Sequence, residues 1–201
     1  MNSELNNHII DHLKTTLVAY NNIVSFSNNS GIYAIGFAGD VFPLKSARKN
    51  VRSGDVIYIG KTEDSQSSRD KKTHFQSGKS GSSTVRRTLG ALLREQLKLE
   101  PIPRSDTEKS DKRFVNYAFT PEGEERLTTW METNLSLSFW EYDGSVSGLR
   151  KIETEIILSV RPILNLTKNK LNSFKGEIIS LRKTCANIAR NKWLLSYETE
   201  A

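Results

Sequence analysis

The sequence has little cysteine and no long apolar run. Cys185 is the only cysteine among 201 residues, which excludes a disulfide scaffold within one chain and a zinc site built from several cysteines. No segment approaches the roughly 20 apolar residues that a membrane-spanning helix needs. The polar start, Met1 to Glu4, lacks the basic and apolar regions of a signal peptide. We therefore expect a cytoplasmic protein that does not bind membranes.

Charge is distributed unevenly along the chain, although the net charge is only +6. Residues 45–98 contain thirteen Lys or Arg against five Asp or Glu, residues 100–155 contain seven against twelve, and residues 161–192 contain eight against one. Two basic blocks around an acidic one fit a polyanion that binds one side of the fold. An ordinary solvated surface explains the same charges equally well, so this pattern alone does not choose between the two.

Two segments rich in β-forming residues predict an antiparallel hairpin. Residues 31–37 and 56–60 have the composition of strands, and a long connection with Pro43 and Gly54 joins them. Because side chains alternate along a strand, Tyr58 is expected on the face opposite Ile57 and Ile59.

The remaining pattern predicts an α+β fold. Helices are predicted over about residues 4–20, 69–75, 85–97, 121–134, 149–161 and 175–193, and further strands over 113–119 and 135–142. A small central antiparallel or mixed β-sheet, built around the hairpin, is therefore expected to be flanked by helices, with additional helices at the N- and C-terminal ends.

One carboxylate lies on the apolar face of the predicted helix 149–161. On a helical wheel, Glu153 falls in the middle of the apolar stripe, whereas Glu155 lies on the far side. The stripe consists of Leu149, Ile152, Ile156, Ile157 and Val160. A carboxylate in that position is costly to bury unless a cation or hydrogen-bond donors face it. A structural salt bridge and a metal site both satisfy this requirement.

The hairpin carries two triplets that resemble the name-giving motifs of the GIY-YIG nuclease family. They are Gly31-Ile32-Tyr33 on the first strand and Tyr58-Ile59-Gly60 on the second, followed by Lys61. The connection between them is longer than the short link usual in the family. Taken singly, tyrosines on a strand are more often ordinary aromatic residues than catalytic ones. The residues that follow the hairpin therefore decide whether the resemblance to the family holds.

Those downstream residues extend the resemblance to about residues 31–165. Arg69 and His74 lie in the segment where the family places an arginine and often a histidine. Glu153, followed by Pro162 and Asn165, is similar to the family's closing pattern of a metal-binding glutamate, a proline and an asparagine. Arg69 and His74 could each be a solvated loop charge, and Asn165 could cap a helix or a turn. The occurrence of all these residues in the order typical of the family favours membership of the family.

The resemblance implies hydrolysis of phosphodiester bonds with a divalent metal ion. Glu153 is expected to hold Mg²⁺ or Mn²⁺, because Mg²⁺ is often bound through only one or two carboxylates. Arg69 is expected to present its planar charged group to the phosphate. Asn165 is expected to orient Glu153 or a water molecule in the metal's shell.

The general base is not decided by the sequence. Tyr33, Tyr58 and His74 are the alternatives, and the family resemblance favours a tyrosine. A tyrosine hydroxyl has a pKa near 10, which we expect the neighbouring cation Lys61 to lower.

Two groups of basic and hydroxyl residues are expected to bind DNA. One lies in the connection between the two hairpin strands, and the other opens the helix predicted over 85–97, where a helix N-terminus favours phosphate. The predicted DNA-binding residues are Lys45, Arg48, Lys49, Arg52, Ser83, Thr84, Arg86, Arg87 and Arg94. Surface solubility is the alternative for both groups. The last helix is also basic, but we expect it to pack, with Trp193 as its anchor.

We therefore expect a metal-dependent DNA endonuclease, with restriction-like cleavage favoured over mobile-element or repair roles. Its partner is DNA, without a small-molecule cofactor, and it acts as a monomer or as a transient dimer on DNA. The alternative is a non-catalytic nucleic-acid-binding module that retains the fold. The predicted organisation is an N-terminal helical extension over 1–30, a nuclease domain over 31–168, and a C-terminal helix over 169–201 packed on the same domain.

Overall fold

A computed structural model describes residues 3–105, 107 and 109–199 of the chain. The chain forms two compact units, Met1–Lys72 with Met131–Lys175, and Thr73–Trp130 with Gly176–Ala201. None of the helices in this described part has the length and apolar character needed to cross a membrane.

Six α-helices and six strands make up the described elements. The helices are α1 Ser3–Thr15, α2 Thr84–Leu93, α3 Lys112–Val115, α4 Pro121–Asn134, α5 Val146–Val160 and α6 Lys175–Thr199. The strands are β1 Val18–Ala19, β2 Gly31–Phe37, β3 Val56–Thr62, β4 Pro101–Ile102, β5 Ala118–Phe119 and β6 Leu135–Glu141. A π-helical segment spans Ser67–His74, and 3-10 turns span Tyr20–Asn22 and Lys45–Ala47.

A four-stranded sheet is the centre of the first unit. Its strand order is β1-β6-β2-β3, and every neighbouring pair is antiparallel. Helices α1 and α5 pack on this sheet, because both carry apolar side chains at helical spacing. Their shared core contains Ile9, Leu13, Ile32, Ile59 and Ile156, each at most 1% exposed. The β2–β3 hairpin is therefore held from one side by two helices.

The outer edge of β3 is covered by the chain that follows α5. The Leu164 amide donates to the Ile57 carbonyl at 2.9 Å. The Asn165 side chain then bonds both backbone groups of Ile59, accepting from its amide at 2.9 Å and donating to its carbonyl at 2.7 Å. An unpaired sheet edge is a row of exposed donors and acceptors, and this segment satisfies them without forming a strand.

The second unit is organised around a buried ion pair. Arg86 on α2 is fully buried, and its guanidinium donates to the Glu124 carboxylate on α4 at 2.7 Å. The same group also donates to the His74 carbonyl at 3.2 Å and to the Thr128 hydroxyl at 2.9 Å. In the same unit Trp193 on α6 packs edge-to-face against Phe114, with ring centroids 5.9 Å apart.

The predicted α+β fold is confirmed, including the hairpin and its antiparallel sheet, but two elements are wrong. The N-terminal helix ends at Thr15 and not near residue 20, because Val18–Ala19 pairs with β6. Residues 113–119 do not form one strand: Lys112–Val115 is a helical turn, and only Ala118–Phe119 pairs with β4. The β-rich composition there concealed that Phe114 and Tyr117, three residues apart, are both buried.

The covered edge of β3 leads to a stability prediction. Asn165→Ala leaves both Ile59 backbone groups without partners in a buried place, so we expect it to lower the free energy of unfolding by about 2 to 4 kcal/mol. Asn165→Asp is expected to be nearly as destabilising, because a carboxylate cannot donate to the Ile59 carbonyl. Urea unfolding measures both, with Asn7→Ala on the exposed side of α1 as control. Equal stability of Asn165→Ala and Asn7→Ala would contradict the edge role.

Candidate active site

The hairpin register places two tyrosines side by side. Tyr33 on β2 pairs with Gly60 on β3, and Ile35 pairs with Tyr58, so the two phenols are diagonal neighbours on the face opposite Ile32 and Ile59. Their ring centroids lie 6.1 Å apart. Tyr33 is almost fully buried, whereas Tyr58 is partly buried.

Glycine at position 60 is required by the Tyr33 ring. A Cβ built on Gly60 would lie 2.2 Å from the Tyr33 hydroxyl oxygen, well inside van der Waals contact. Gly31 is restricted in the same way, because a Cβ there would lie 2.2 Å from the Trp140 carbonyl oxygen. The first and last glycines of the two triplets therefore make room for the phenols and for the neighbouring strand.

Arg69, on the π-helical segment, hydrogen-bonds one of the phenols and acts electrostatically on both. Its Nε donates to the Tyr33 hydroxyl at 3.4 Å, at the long end of a hydrogen bond. Burial raises the pKa of the Tyr33 hydroxyl well above its usual 10, with Tyr58 and Asp70 adding to the rise and Arg69 opposing it. Burial also raises the pKa of Tyr58, while Arg69 and a hydrogen bond from Tyr33 lower it. Arg69 is thus the cation that favours ionised phenols here.

Glu153 lies on the buried face of α5 with one cation against it. The residue is 9% exposed, and its Oε2 accepts from the Lys168 ammonium at 2.5 Å. Its charge is felt by Tyr58, where it raises the pKa of the hydroxyl. The carboxylate therefore belongs to the same cluster as the hairpin phenols.

Asp70 is a second carboxyl group in this cluster, and it is fully buried. Neither of its oxygens has a hydrogen-bond partner among the described residues. Burial raises its pKa from 3.8 to about 8. The Arg69 guanidinium and the Gln66 amide, which is nearby but outside hydrogen-bonding geometry, lower the pKa by smaller amounts. Below a pH of about 8 the protonated form of Asp70 predominates, and in that form it does not offset the positive charge of Arg69.

Lys61 does not serve the phenols in the way its sequence position indicates. Its ammonium pairs with Glu63, which Arg150 also contacts at 2.8 Å. Arg150 and Lys61 together lower the pKa of Glu63 to about 2. Arg69, and not Lys61, is the cation that acts on the pKa of both tyrosines.

His74 belongs to the second unit and is fully buried there. Its Nδ1 lies 2.7 Å from the hydroxyl of Ser83, which also caps α2 by accepting from the Arg86 amide. The first unit brings together Tyr33, Tyr58, Arg69 and Glu153, with Asn165 on the adjacent edge of β3. For His74 the visible contacts are structural.

The predicted DNA-binding residues divide by exposure. Four of them lie exposed in the connection between β2 and β3, namely Lys45, Arg48, Lys49 and Arg52. Ser83 and Arg86 are fully buried and Arg87 is 6% exposed, donating to the Ser80 and Gly81 carbonyls. Burial and nearby arginines lower the pKa of Arg87 to about 10. Thr84 and Arg94 keep partial exposure. The buried side chains of Ser83, Arg86 and Arg87 hold α2 in place, and their burial leaves them little surface for contact with DNA.

Sequence reasoning missed Asp70 and Lys168. Asp70 stands in a polar segment beside Lys71 and Lys72, where no periodicity marks it as buried. Lys168 is separated by a single residue from Lys170, which is exposed. A carboxylate buried on an apolar helix face, such as Glu153, requires a nearby cation. This requirement was the only indication in the sequence that a lysine such as Lys168 has a specific function.

The donor set fits a sparsely coordinated hard cation. No group of three or more His, Cys, Asp or Glu side chains within the described ranges forms a metal cage. Mg²⁺ commonly keeps several waters and takes one or two carboxylates with substrate phosphates. Glu153 already holds a positive ion, the Lys168 ammonium, at 2.5 Å, so its position suits a cation.

The buried Asp70 carboxyl group leads to a pH prediction. Its folded-state pKa is above its unfolded one, so the folded protein keeps a proton that the unfolded chain releases between the ordinary value of 3.8 and about 8. The stability it confers is complete below the lower value and is lost as pH rises to the upper one. Asp70→Asn does not titrate. We expect the free energy of unfolding of Asp70→Asn, relative to that of wild type, to increase by about 1 kcal/mol per pH unit as the pH rises through that window.

Urea unfolding at several pH values between about 5 and 9 measures this difference. Asp64→Asn is the control, because Asp64 is a nearby exposed aspartate. A difference between Asp70→Asn and wild type that stays constant over the whole range would contradict the raised pKa.

Comparison with known proteins agrees with the geometry. A family model described as the GIY-YIG catalytic domain matches residues 31–184, which include the hairpin, Arg69, Glu153 and Asn165. No curated protein and no solved structure matches the chain. The matched segment covers most of the 201 residues. The chain therefore belongs to the GIY-YIG family and carries a nuclease-type catalytic domain.

Proposed function

We propose that this protein is a DNA endonuclease that hydrolyses phosphodiester bonds with Mg²⁺ or Mn²⁺. The observation that supports it is the grouping of one buried carboxylate, Glu153, with two phenols and the Arg69 guanidinium in a single unit. Such a set supplies a metal ligand, a phosphate ligand and candidate proton acceptors. Restriction-like cleavage stays our preferred biological role.

Glu153 is the proposed metal ligand and Arg69 the proposed phosphate ligand. A divalent ion held by Glu153 would supply positive charge to polarise the phosphate and to offset charge that develops on its oxygens. Arg69 is held by the Tyr33 hydroxyl and retains its charge at any working pH. Because the adjacent Asp70 is mainly neutral near pH 7, the guanidinium charge is available to an incoming phosphate.

Tyr58 is the proposed general base. The guanidinium of Arg69 and a hydrogen bond from Tyr33 both lower the pKa of Tyr58, although burial leaves it raised overall. The pKa of Tyr33 is raised further, so Tyr33 is suited to donate a hydrogen bond to an ionised Tyr58. His74 is a weaker candidate, since its Nδ1 is engaged with Ser83.

The exposed bases of the β2–β3 connection are the proposed DNA-contacting surface. Lys45, Arg48, Lys49 and Arg52 lie on this connection in the same unit as the catalytic cluster. Contacts from lysine and arginine to phosphates position a protein on DNA without reading its sequence. Thr84 and Arg94, which are partly exposed, stay proposals in the second unit. The protein acts on DNA as a monomer or a transient dimer.

Plasmid cleavage with matched glutamate variants tests this function. Purified protein is incubated with supercoiled plasmid, with and without Mg²⁺, as wild type, Glu153→Gln and Glu155→Gln. Glu155 is on the same helix and bonds Asn6 outside the cluster. We expect Glu153→Gln to slow nicking by about 1000-fold or more, because it removes the metal-binding charge. Glu155→Gln is expected to cut within about twofold of wild type.

Two results would overturn parts of this proposal. Full nicking by Glu153→Gln would remove Glu153 as the metal ligand. Salt-sensitive DNA binding by wild type without cleavage of any DNA, modified or unmodified, would favour a non-catalytic binding module.

A further inference from the structure

The backbone of Lys168, whose ammonium faces Glu153, is held in place by the chain around it. Lys168 lies between Asn165 and Asn169, and both asparagines have side chains fixed to backbone groups. Asn165 bonds Ile59 at both its amide and its carbonyl, and the Asn169 amide, 2% exposed, donates to the Pro162 carbonyl at 3.1 Å. The backbone of Lys168 is thereby anchored beside α5.

The Lys168 side chain is less constrained than its backbone. It is 35% exposed, whereas the Glu153 side chain against it is 12% exposed. A lysine has a flexible four-carbon stem and a compact charge with three donors. The ammonium is therefore able to leave the carboxylate and reach a nearby anion while its backbone stays in place.

A divalent ion at this site would compete with the Lys168 ammonium for the Glu153 carboxylate. Mg²⁺ coordinates carboxylate oxygen directly at about 2.1 Å, and Lys168 stands 2.5 Å from one of the two oxygens. Two positive charges at one carboxylate repel each other. A DNA phosphate at the same place brings the negative charge that the displaced ammonium needs.

We propose that Lys168 is a catalytic residue with two successive partners, Glu153 in the metal-free protein and the scissile phosphate once metal and DNA are bound. The inference rests on the proposed function, because it takes Glu153 as the metal ligand. Lys168 keeps the buried carboxylate satisfied until a divalent ion replaces it, and then adds its charge to that of Arg69 on the phosphate.

The two roles predict opposite effects of one substitution. Lys168→Met is expected to bind Mn²⁺ about fivefold more tightly in the absence of DNA, because a competing unit charge at about 4 Å is removed. The same variant is expected to cleave about 100-fold more slowly under single-turnover conditions at saturating Mn²⁺, because one charge on the phosphate is lost. Lys168→Arg keeps the charge and is expected to restore most of both properties. A residue with only a structural role would not tighten Mn²⁺ binding.

Mn²⁺ binding is read from the electron paramagnetic resonance signal of free Mn²⁺, which does not depend on cleavage. Lys170→Met is the matched control, because Lys170 is an exposed lysine two residues away; it should leave both measurements within about twofold of wild type. Circular dichroism and thermal unfolding establish that each variant is folded.

The outcomes separate this inference from the proposed function. Unchanged or weaker Mn²⁺ binding by folded Lys168→Met overturns the competition. Tighter binding with undiminished cleavage overturns the phosphate role. If Glu153→Gln binds Mn²⁺ as wild type does, the metal assignment of the proposed function fails. If Glu153→Gln abolishes binding while Lys168→Met leaves it unchanged, only the role of Lys168 fails.

Discussion

Glu153 is a carboxylate on the apolar face of a helix, and the rest of the site is arranged around the need to satisfy it. Removing a charged group from water costs several kcal/mol unless a counter-charge and hydrogen bonds replace the solvent. Here, within the part of the chain that the structure describes, the replacement is the Lys168 ammonium at 2.5 Å, supplied from outside the helix. The Lys168 side chain is 35% exposed and the Glu153 side chain is 12% exposed, so the proposed metal ion would reach the carboxylate by displacing a partly exposed lysine.

The hairpin and the chain after α5 convert this requirement into a fixed geometry. Gly60 permits the Tyr33 ring to lie over β3, and Asn165 binds the outer edge of β3 through Ile59. Strands β2 and β3 thus position the phenol pair on one face of the hairpin, and the outer edge of β3 positions the segment that contains Lys168. Gly31, Gly60 and Asn165 therefore have structural roles in this chain that do not depend on catalysis. They set the distances between the strands, the phenols and the segment that follows α5.

Much of this arrangement was predictable from the sequence, and the remainder has identifiable causes. The hairpin, the alternation of Tyr58 with Ile59, and the apolar stripe containing Glu153 follow from periodicities of two and 3.6 residues. Asp70 and Lys168 obey no period, because their positions depend on a π-helical segment and an irregular loop. The same limit explains Arg86: its place on α2 was predicted, but only tertiary packing revealed that Glu124 neutralises it in the interior. In residues 113–119 the composition predicts a strand, but Phe114 is buried on the helical turn Lys112–Val115.

We propose that Glu153 exchanges the Lys168 ammonium for a divalent metal ion when the protein acts on DNA. A crystal structure of the protein soaked with Mn²⁺ tests this exchange, with anomalous scattering used to locate the ion. We expect an anomalous peak within about 2.3 Å of a Glu153 carboxylate oxygen, with the Lys168 ammonium moved away from that oxygen. An ion bound elsewhere, with Lys168 still on Glu153, would contradict it.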